Sequence, residues 1–292
     1  MDEWAERFEQ HRGHLRGVAY RMLGTFGEAD DAVQEAWLRL ARQTDPTAIA
    51  DLRGWLTTTT ARICLDMLTS ARARRETYVG PWLPEPDIQL ASTNDPADRV
   101  TLDESVSMAL LVVLESLSPA ERTAFVLHDV FGVPFDEVAE TVGRSPAAVR
   151  QLASRARQHV GERRPRFTTA ADEHERVLNA FFAAAAVGDL DGLVRVLDPD
   201  VVWRADGGGI APAARRPIHG AHDVARFTLG LVSHAGPDVT YEVAIVNGAL
   251  GLIVRTDGLP LSVMAFTVAD GRITEVDAVL NPEKLRSVPT PA

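Results

Sequence analysis

The sequence predicts two all-α domains, the second carrying a helix-turn-helix, followed by an α+β domain with a curved antiparallel sheet and helices on one side. Three observations lead there. Apolar residues recur at helical spacing through roughly the first half of the chain. A short helix, a Gly-containing turn and a longer Arg-rich helix succeed one another in "PFDEVAETVGRSPAAVRQLASRARQHV". After "GERRPRFTTA" the pattern changes to β-like runs punctuated by Asx-Gly dipeptides.

The first domain, residues 1–77, is helical throughout. "FEQHRGHLRGVAYRMLG" sets Phe8, Leu15, Val18, Ala19 and Met22 at helical spacing, and Gly24 ends the helix. "EADDAVQEAWLRLARQ" aligns Ala32, Val33, Ala36, Trp37 and Leu40 on one stripe. "DLRGWLTTTTARICLDMLTSARARRE" follows, with Leu52, Leu56, Ile63, Met67 and Leu68 apolar. Its four threonines are poor helix formers, so packing must hold that helix.

Residues 78–100, beginning "YVGPWLPEPDIQLASTNDPAD", are rich in Pro, Gly and small polar residues and form a linker. Helical spacing returns in the second domain, residues 101–165. Ser118, Pro119 and Glu121 make a capping box with Pro at the first helical position, and Gly132 closes that helix. "PFDEVAETVG" is a short helix ended by Gly143; Ser145 caps the next, again with Pro146 at the first position.

In the third domain, residues 168–292, two helices ("EHERVLNAFFAAAAVG", "LDGLVRVLD") precede the strands. "VVWRAD", "VTYEVAIVNG", "LGLIVRTDG", "LPLSVMAFTVADG" and "RITEVDAVL" are the strand-like runs, and "AHDVARFTLGLVSH" is a further helix. Asn247-Gly248, Asp257-Gly258 and Asp270-Gly271 mark hairpin turns.

Composition narrows the function. The single cysteine, Cys64, excludes an intrachain disulfide and sits in an apolar helical run as a buried thiol. No apolar run follows "MDEWAERFEQ", so no signal peptide is expected. No stretch approaches the ~20 apolar residues of a membrane span, which points to a cytoplasmic protein without a membrane partner. The net charge is −11, from 30 Lys+Arg against 41 Asp+Glu, and the only lysine is Lys284. That balance weakens unspecific attraction to DNA but permits a local basic surface.

Three segments carry chemistry. On the second helix of the helix-turn-helix, Val149, Leu152, Ala153, Ala156 and Val160 form the inner face, against Val138, Ala139 and Val142. Arg150, Gln151, Ser154 and Arg155 lie outward, and Arg and Gln read base edges bidentately. Arg144, Arg157, Arg163, Arg164 and Arg166 suit phosphates; the alternative is a solvated helix in an ordinary bundle. Trp55, Arg62, Arg72, Arg74 and Arg75 combine an aromatic with arginines, as single-stranded bases require, or simply complement a helix C-terminus. Asp30, Asp31, Gln34 and Glu35 form a polar face that by itself is an ordinary acidic helix N-terminus.

In this order, the three segments resemble an RNA polymerase sigma factor of the extracytoplasmic-function group, which has only the second and fourth sigma domains. "EADDAVQEAWLRL" is similar to the core-polymerase-binding helix, "DLRGWLTTTTARICLDMLTSARARRE" to the −10-element helices, and "LSPAERTAFVLHDVFGVPFDEVAETVGRSPAAVRQLASRAR" to the −35-binding domain. "YVGPWLPEP", "DGGG" and "NPEKL" resemble marks of a subgroup with a fused C-terminal SnoaL-like domain, a cone-shaped α+β fold. Ile210 stands where that subgroup's glycine motif has Lys, and Glu283 where its tail has Asp.

The resemblance implies that Asp30, Asp31, Gln34 and Glu35 meet the clamp helices of the largest polymerase subunit, with the flap as a second contact. It places Trp55, Arg62, Arg72, Arg74 and Arg75 at the −10 element and Arg150, Gln151, Ser154, Arg155 and Arg157 at the −35 element of promoter DNA. A monomer when not bound to polymerase is the default expectation, and no spacing in the sequence identifies a catalytic residue, metal site or cofactor. Trp82, Leu83 and Pro84, Asp206, Gly207, Gly208 and Gly209, and Asn281, Pro282, Lys284 and Leu285 are the interdomain candidates through which the C-terminal domain regulates in cis. Two rivals stay open: a stand-alone helix-turn-helix regulator, and a C-terminal domain that senses a small molecule or acts as an enzyme through Asp206, His219, His222 or Asp277. An internal cavity of ~300 Å³ or more with convergent polar groups is the mark of a sensor.

Overall fold

The computed structural model describes residues 2–43, 49–75, 78–90, 106–163 and 171–289. They fall into two compact units, Met1–Thr77 with Leu110–Arg163, and Tyr78–Ala109 with Arg164–Ala292.

The first unit is all-α. Helices α1 (Asp2–Leu23), α2 (Phe26–Ala41) and α3 (Leu52–Arg75) pack on one another. Phe8, Leu15, Val18, Ala19 and Met22 of α1 and Ala32, Val33, Ala36 and Leu40 of α2 are buried, as their spacing predicts. Trp37 is half-buried, its ring tilted on Phe8 at 5.2 Å. Two threonines of α3 bond back to the helix, Thr57 donating to the Arg53 carbonyl (2.7 Å) and Thr58 to that of Gly54 (3.0 Å); Thr60 is fully buried, and among the described residues its hydroxyl has no hydrogen-bond partner. Such back-bonding satisfies hydroxyls inside a helix that tertiary packing stabilises.

Helices α4 (Met108–Glu115), α5 (Pro119–Ala124), α6 (Phe135–Val142) and α7 (Pro146–Arg163) complete this unit. Ser118 and Glu121 form the reciprocal capping box of α5, which continues as a π-helical turn over Phe125–Val130. Gly143, at φ +69°, ends α6 in the left-handed region, where a side chain is disfavoured.

In the second unit, helices α8 (Ala171–Val187), α9 (Leu190–Val196) and α10 (Ala221–Ser233) cover a mixed sheet. Its strands are β1 (Ile88–Leu90), β2 (Leu197–Asp206), β3 (Ile218–His219), β4 (Val239–Val246), β5 (Ala249–Thr256), β6 (Leu259–Ala269) and β7 (Arg272–Val279), in the order β1-β4-β5-β6-β7-β2-β3. The three Asx-Gly pairs have positive φ at both residues, from 50° to 79°, as type I′ hairpins require. Register shifts within β5–β6, β6–β7 and β2–β7 bend the sheet.

Two features depart from the sequence-based expectation. β2 runs parallel to β7, so the sheet is not wholly antiparallel. No tight turn joins these strands, so no turn residue announces their relative direction. Second, part of the linker is a strand: β1 pairs with β4, Ile88 opposite Val246 and Leu90 opposite Ala244.

Candidate nucleic-acid interface and linker clasp

On α7, Val149, Leu152, Ala153, Ala156 and Val160 are buried, and so are Val138 and Ala139 of α6. Burying that stripe forces Arg150, Gln151, Ser154, Arg155 and Arg157 outward, and all five are exposed. Ser145 Oγ accepts the Ala148 amide at 3.3 Å and caps the helix start. Arg150 lies over the Phe135 ring (5.4 Å), Arg155 pairs with Glu121 (2.9 Å) and Arg157 with Asp129 (2.6 Å). Glu121 has its pKa lowered: its burial works against the charge, and Ser118 and Arg155 more than offset it. Exposed pairs of this kind contribute ~0–1 kcal/mol and exchange partners readily.

The acidic face of α2 also points outward. Asp31 and Gln34 are exposed, Asp30 pairs with Arg16 (2.8 Å) and Glu35 with Arg39 (3.0 Å). On α3, Trp55 is half-buried and Arg62 exposed, its guanidinium donating to the Glu140 carbonyl of α6 at 2.7 Å. The side chains of Arg72, Arg74 and Arg75 lie outside the described residues, as do that of Arg163 and all of Arg164 and Arg166.

The sequence did not single out Arg122, which the structure buries at 2% exposure. It donates to the Leu114 carbonyl (2.8 Å), to the Met22 carbonyl of α1 (2.7 Å) and to the Glu115 carboxylate. One cation thereby satisfies carbonyls at the ends of two helices, from both halves of the first unit.

In the second unit, the three interdomain motifs converge on Asp206, which is fully buried. One carboxylate oxygen accepts from the Tyr78 hydroxyl (2.6 Å) and the Gly208 amide (3.0 Å). The other accepts from the Leu83 amide (2.9 Å) and Lys284 Nζ (2.8 Å). Lys284 also donates to the Leu83 carbonyl and sits 3.8 Å from the centre of the Trp82 ring. The amide of Asn281 donates to the Tyr78 hydroxyl (3.0 Å), and its oxygen caps the tail turn by accepting from the Glu283 amide (3.0 Å). The phenol of Tyr78 is pushed up in pKa, first by burial and then by the adjacent Asp206 carboxylate.

The glycines allow this approach. A Cβ on Gly208 would sit 2.6 Å from Asn281 Cγ, and its φ is +66°. One on Gly207 would lie 2.3 Å from the Ala211 carbonyl oxygen. Leu83 is fully buried, Pro84 and Leu285 are buried, and Pro282 is exposed. The two departures from the subgroup pattern, Ile210 and Glu283, are both exposed. Asn247 extends the clasp, accepting from the Asp87 amide (3.2 Å) and donating to the Val106 carbonyl (3.1 Å).

Of the polar residues considered for an enzymatic site, only Asp206 belongs to this cluster. Asp277 pairs with Arg204 (2.7 Å), directly opposite it on β2, and His219 and His222 are exposed. Burial alone would lower the pKa of Arg204, but Asp277 and Glu275 raise it well above the usual value. Among the described residues no group of three or more His, Cys, Asp or Glu is placed to hold a metal ion, and no helix is long and apolar enough to cross a membrane.

Residues 7–74 match the family model for Sigma-70 region 2, and residues 107–160 that for Sigma-70, region 4. The chain is 46% identical over 294 residues to ECF RNA polymerase sigma factor SigJ of Mycobacterium tuberculosis, an alignment covering 97% of this chain and 93% of that protein. The chain belongs to the extracytoplasmic-function sigma factors. A probable ECF sigma factor of the same species, SigI, is 38% identical over 289 residues, covering 97% and 95% of the two chains. The crystal structure of SigJ matches this sigma factor with a TM-score of 0.79 and 43% identity, covering 98% of this chain and all of that one. The likeness thus runs through both sigma regions and the C-terminal domain. As a sigma factor the chain is a transcription initiation factor rather than an enzyme.

Proposed function

We propose that this sigma factor engages the polymerase clamp through the acidic face of α2 and the flap through α4–α7, reads the −10 element with α3 and the −35 element with α7, and is regulated in cis through the linker clasp. Its place of action is with polymerase in the cytoplasm. The single observation that supports the cis role is the convergence of linker, glycine loop and tail on one buried carboxylate, at Tyr78, Leu83, Gly208 and Lys284. Segments so far apart in sequence have no local reason to meet. The exposure of Arg150, Gln151, Ser154 and Arg155 on one helix face supports the −35 role. In this reading Arg155 exchanges Glu121 for a base edge.

Run-off transcription with reconstituted holoenzyme is the test. Arg150→Ala or Arg155→Ala weakens promoter-specific binding by about 1–3 kcal/mol, one bidentate contact, and leaves core-polymerase affinity unchanged. Asp206→Asn changes transcript yield without changing the DNA face of α7. Unaltered transcription from both arginine variants refutes the −35 assignment, and unaltered yield from Asp206→Asn refutes regulation through the clasp.

A further inference from the structure

Helix α5 runs on into the π-helical turn over Phe125–Val130, the chain reverses through Gly132 at φ +69°, and α6 begins at Phe135. Two bonds close that reversal. The Val133 amide donates to the Leu127 carbonyl (2.9 Å), and His128 Nδ1–H donates to the Val133 carbonyl (2.9 Å). A carbonyl can only accept, so the second bond places the imidazole proton on Nδ1 and fixes the ring. Phe135 stacks on that imidazole, with ring centroids 3.7 Å apart and planes 27° apart. Both rings are half-buried. Phe135 is also the first residue of a helix whose next turn buries Val138 and Ala139, so backbone and ring are both held.

The Arg150 guanidinium lies over this ring, 5.4 Å from its centre. The contact differs in kind from those its neighbours make. Arg155 and Arg157 engage N–H donors with Glu121 and Asp129, and must break an ion pair before they meet a base. An aromatic face attracts a guanidinium through its quadrupole and occupies none of the five N–H donors. Among the described residues the Arg150 guanidinium makes no ion pair, and its side chain is exposed. Its donor fork is therefore open while its position is restrained. Restraining a flexible side chain before DNA arrives lowers the ordering cost of binding. The base edge that a complete, planar arginine fork fits is guanine, through O6 and N7 in the major groove.

We infer that Phe135, held by His128, is a positioning residue that presents Arg150 to a guanine of the −35 element. The inference rests on the −35 role of α7 and adds to it the base read and the residue that prepares the reader. Reconstituted holoenzyme is allowed to select from a pool of random duplex DNA, and the bound fragments are sequenced. Arg150→Ala erases the preference for guanine at one position of the −35 element. Phe135→Leu keeps apolar bulk but removes the π face, so guanine preference at that same position falls about twofold to fivefold, the worth of an exposed cation–π contact. Preferences at the other positions hold. The slope of log affinity against log salt holds too, because the number of neutralised phosphates is unaltered. Phe135→Tyr keeps the ring and restores the preference. Two results overturn the inference: a guanine preference that Phe135→Leu leaves intact where Arg150→Ala erases it, and a loss spread evenly over all positions and shared by Phe135→Tyr, which marks Phe135 as structural only. A selected pool in which no guanine position responds to Arg150→Ala overturns instead the −35 reading on which the inference rests.

Discussion

Replacing Asp206 by Asn keeps the shape of the clasp and removes its charge. The carboxylate accepts four hydrogen bonds, from Tyr78, Gly208, Leu83 and Lys284. An amide retains one acceptor oxygen, while its NH2 group faces donors. Lys284, whose side chain is only 8% exposed, loses its counter-ion. Breaking a buried ion pair by deleting one partner costs about 3–5 kcal/mol, because the remaining charge stays desolvated. At ~1.4 kcal/mol per factor of ten, docking of the linker weakens by roughly two to three and a half powers of ten. Hydrogen exchange at the Leu83 amide reads this local opening, and a thermal melt of the full chain reads the global cost. Lys284→Met supplies the control. It costs as much alone, but combined with Asp206→Asn the loss is well below the sum, since the orphaned charge has gone. Unchanged protection at Leu83 in Asp206→Asn, or strictly additive losses in the double variant, would refute the reasoning.

Gly208→Ala places a Cβ against Asn281 and forces a left-handed residue, so the melting temperature falls and the Leu83 amide loses protection; adding Asn281→Ala relieves the clash but leaves the ~1–2 kcal/mol of backbone strain. Arg122→Met removes the cation that pairs with Glu115 and takes a donor from the Leu114 and Met22 carbonyls, and destabilises the first unit by about 3–5 kcal/mol in chemical denaturation; Arg122→Lys does not restore it, because one ammonium cannot span the three acceptors. The raised pKa of Tyr78 means that folding favours its protonated form. Its contribution is therefore complete below the ordinary phenol pKa of ~10 and is lost as pH rises through the folded-state value. Stability curves of wild type and Tyr78→Phe measured across the alkaline range should accordingly converge as pH rises; parallel curves would contradict this.

Much of the site was legible because the chain announces it locally. Burying the stripe from Val149 to Val160 leaves Arg150, Gln151, Ser154 and Arg155 no direction but outward. The Asx-Gly turns specify their own hairpins, since only such pairs accept two successive positive φ angles cheaply. The stiff Trp82-Leu83-Pro84 segment, the glycine run and the single lysine each stood out as motifs. Their partners did not. Nothing near Tyr78 in sequence indicates that its hydroxyl bonds to Asp206, and Arg122 looks like any exposed arginine in a capped helix. The strand at Ile88–Leu90 is too short for alternation to show, and becomes a strand only because β4 offers a sheet edge.

The sequence by itself determined the order of the domains, the helix faces and the turns, because periodicity, caps and positive-φ positions act over a few residues. Only the tertiary structure decided that β2 lies parallel to β7, that three distant motifs share one buried carboxylate, and that the sheet leaves an apolar cavity within the second unit. Each of these depends on which long-range surfaces exclude water together. That selection comes from the packing of the whole domain, so it leaves no signature within any single stretch of the chain.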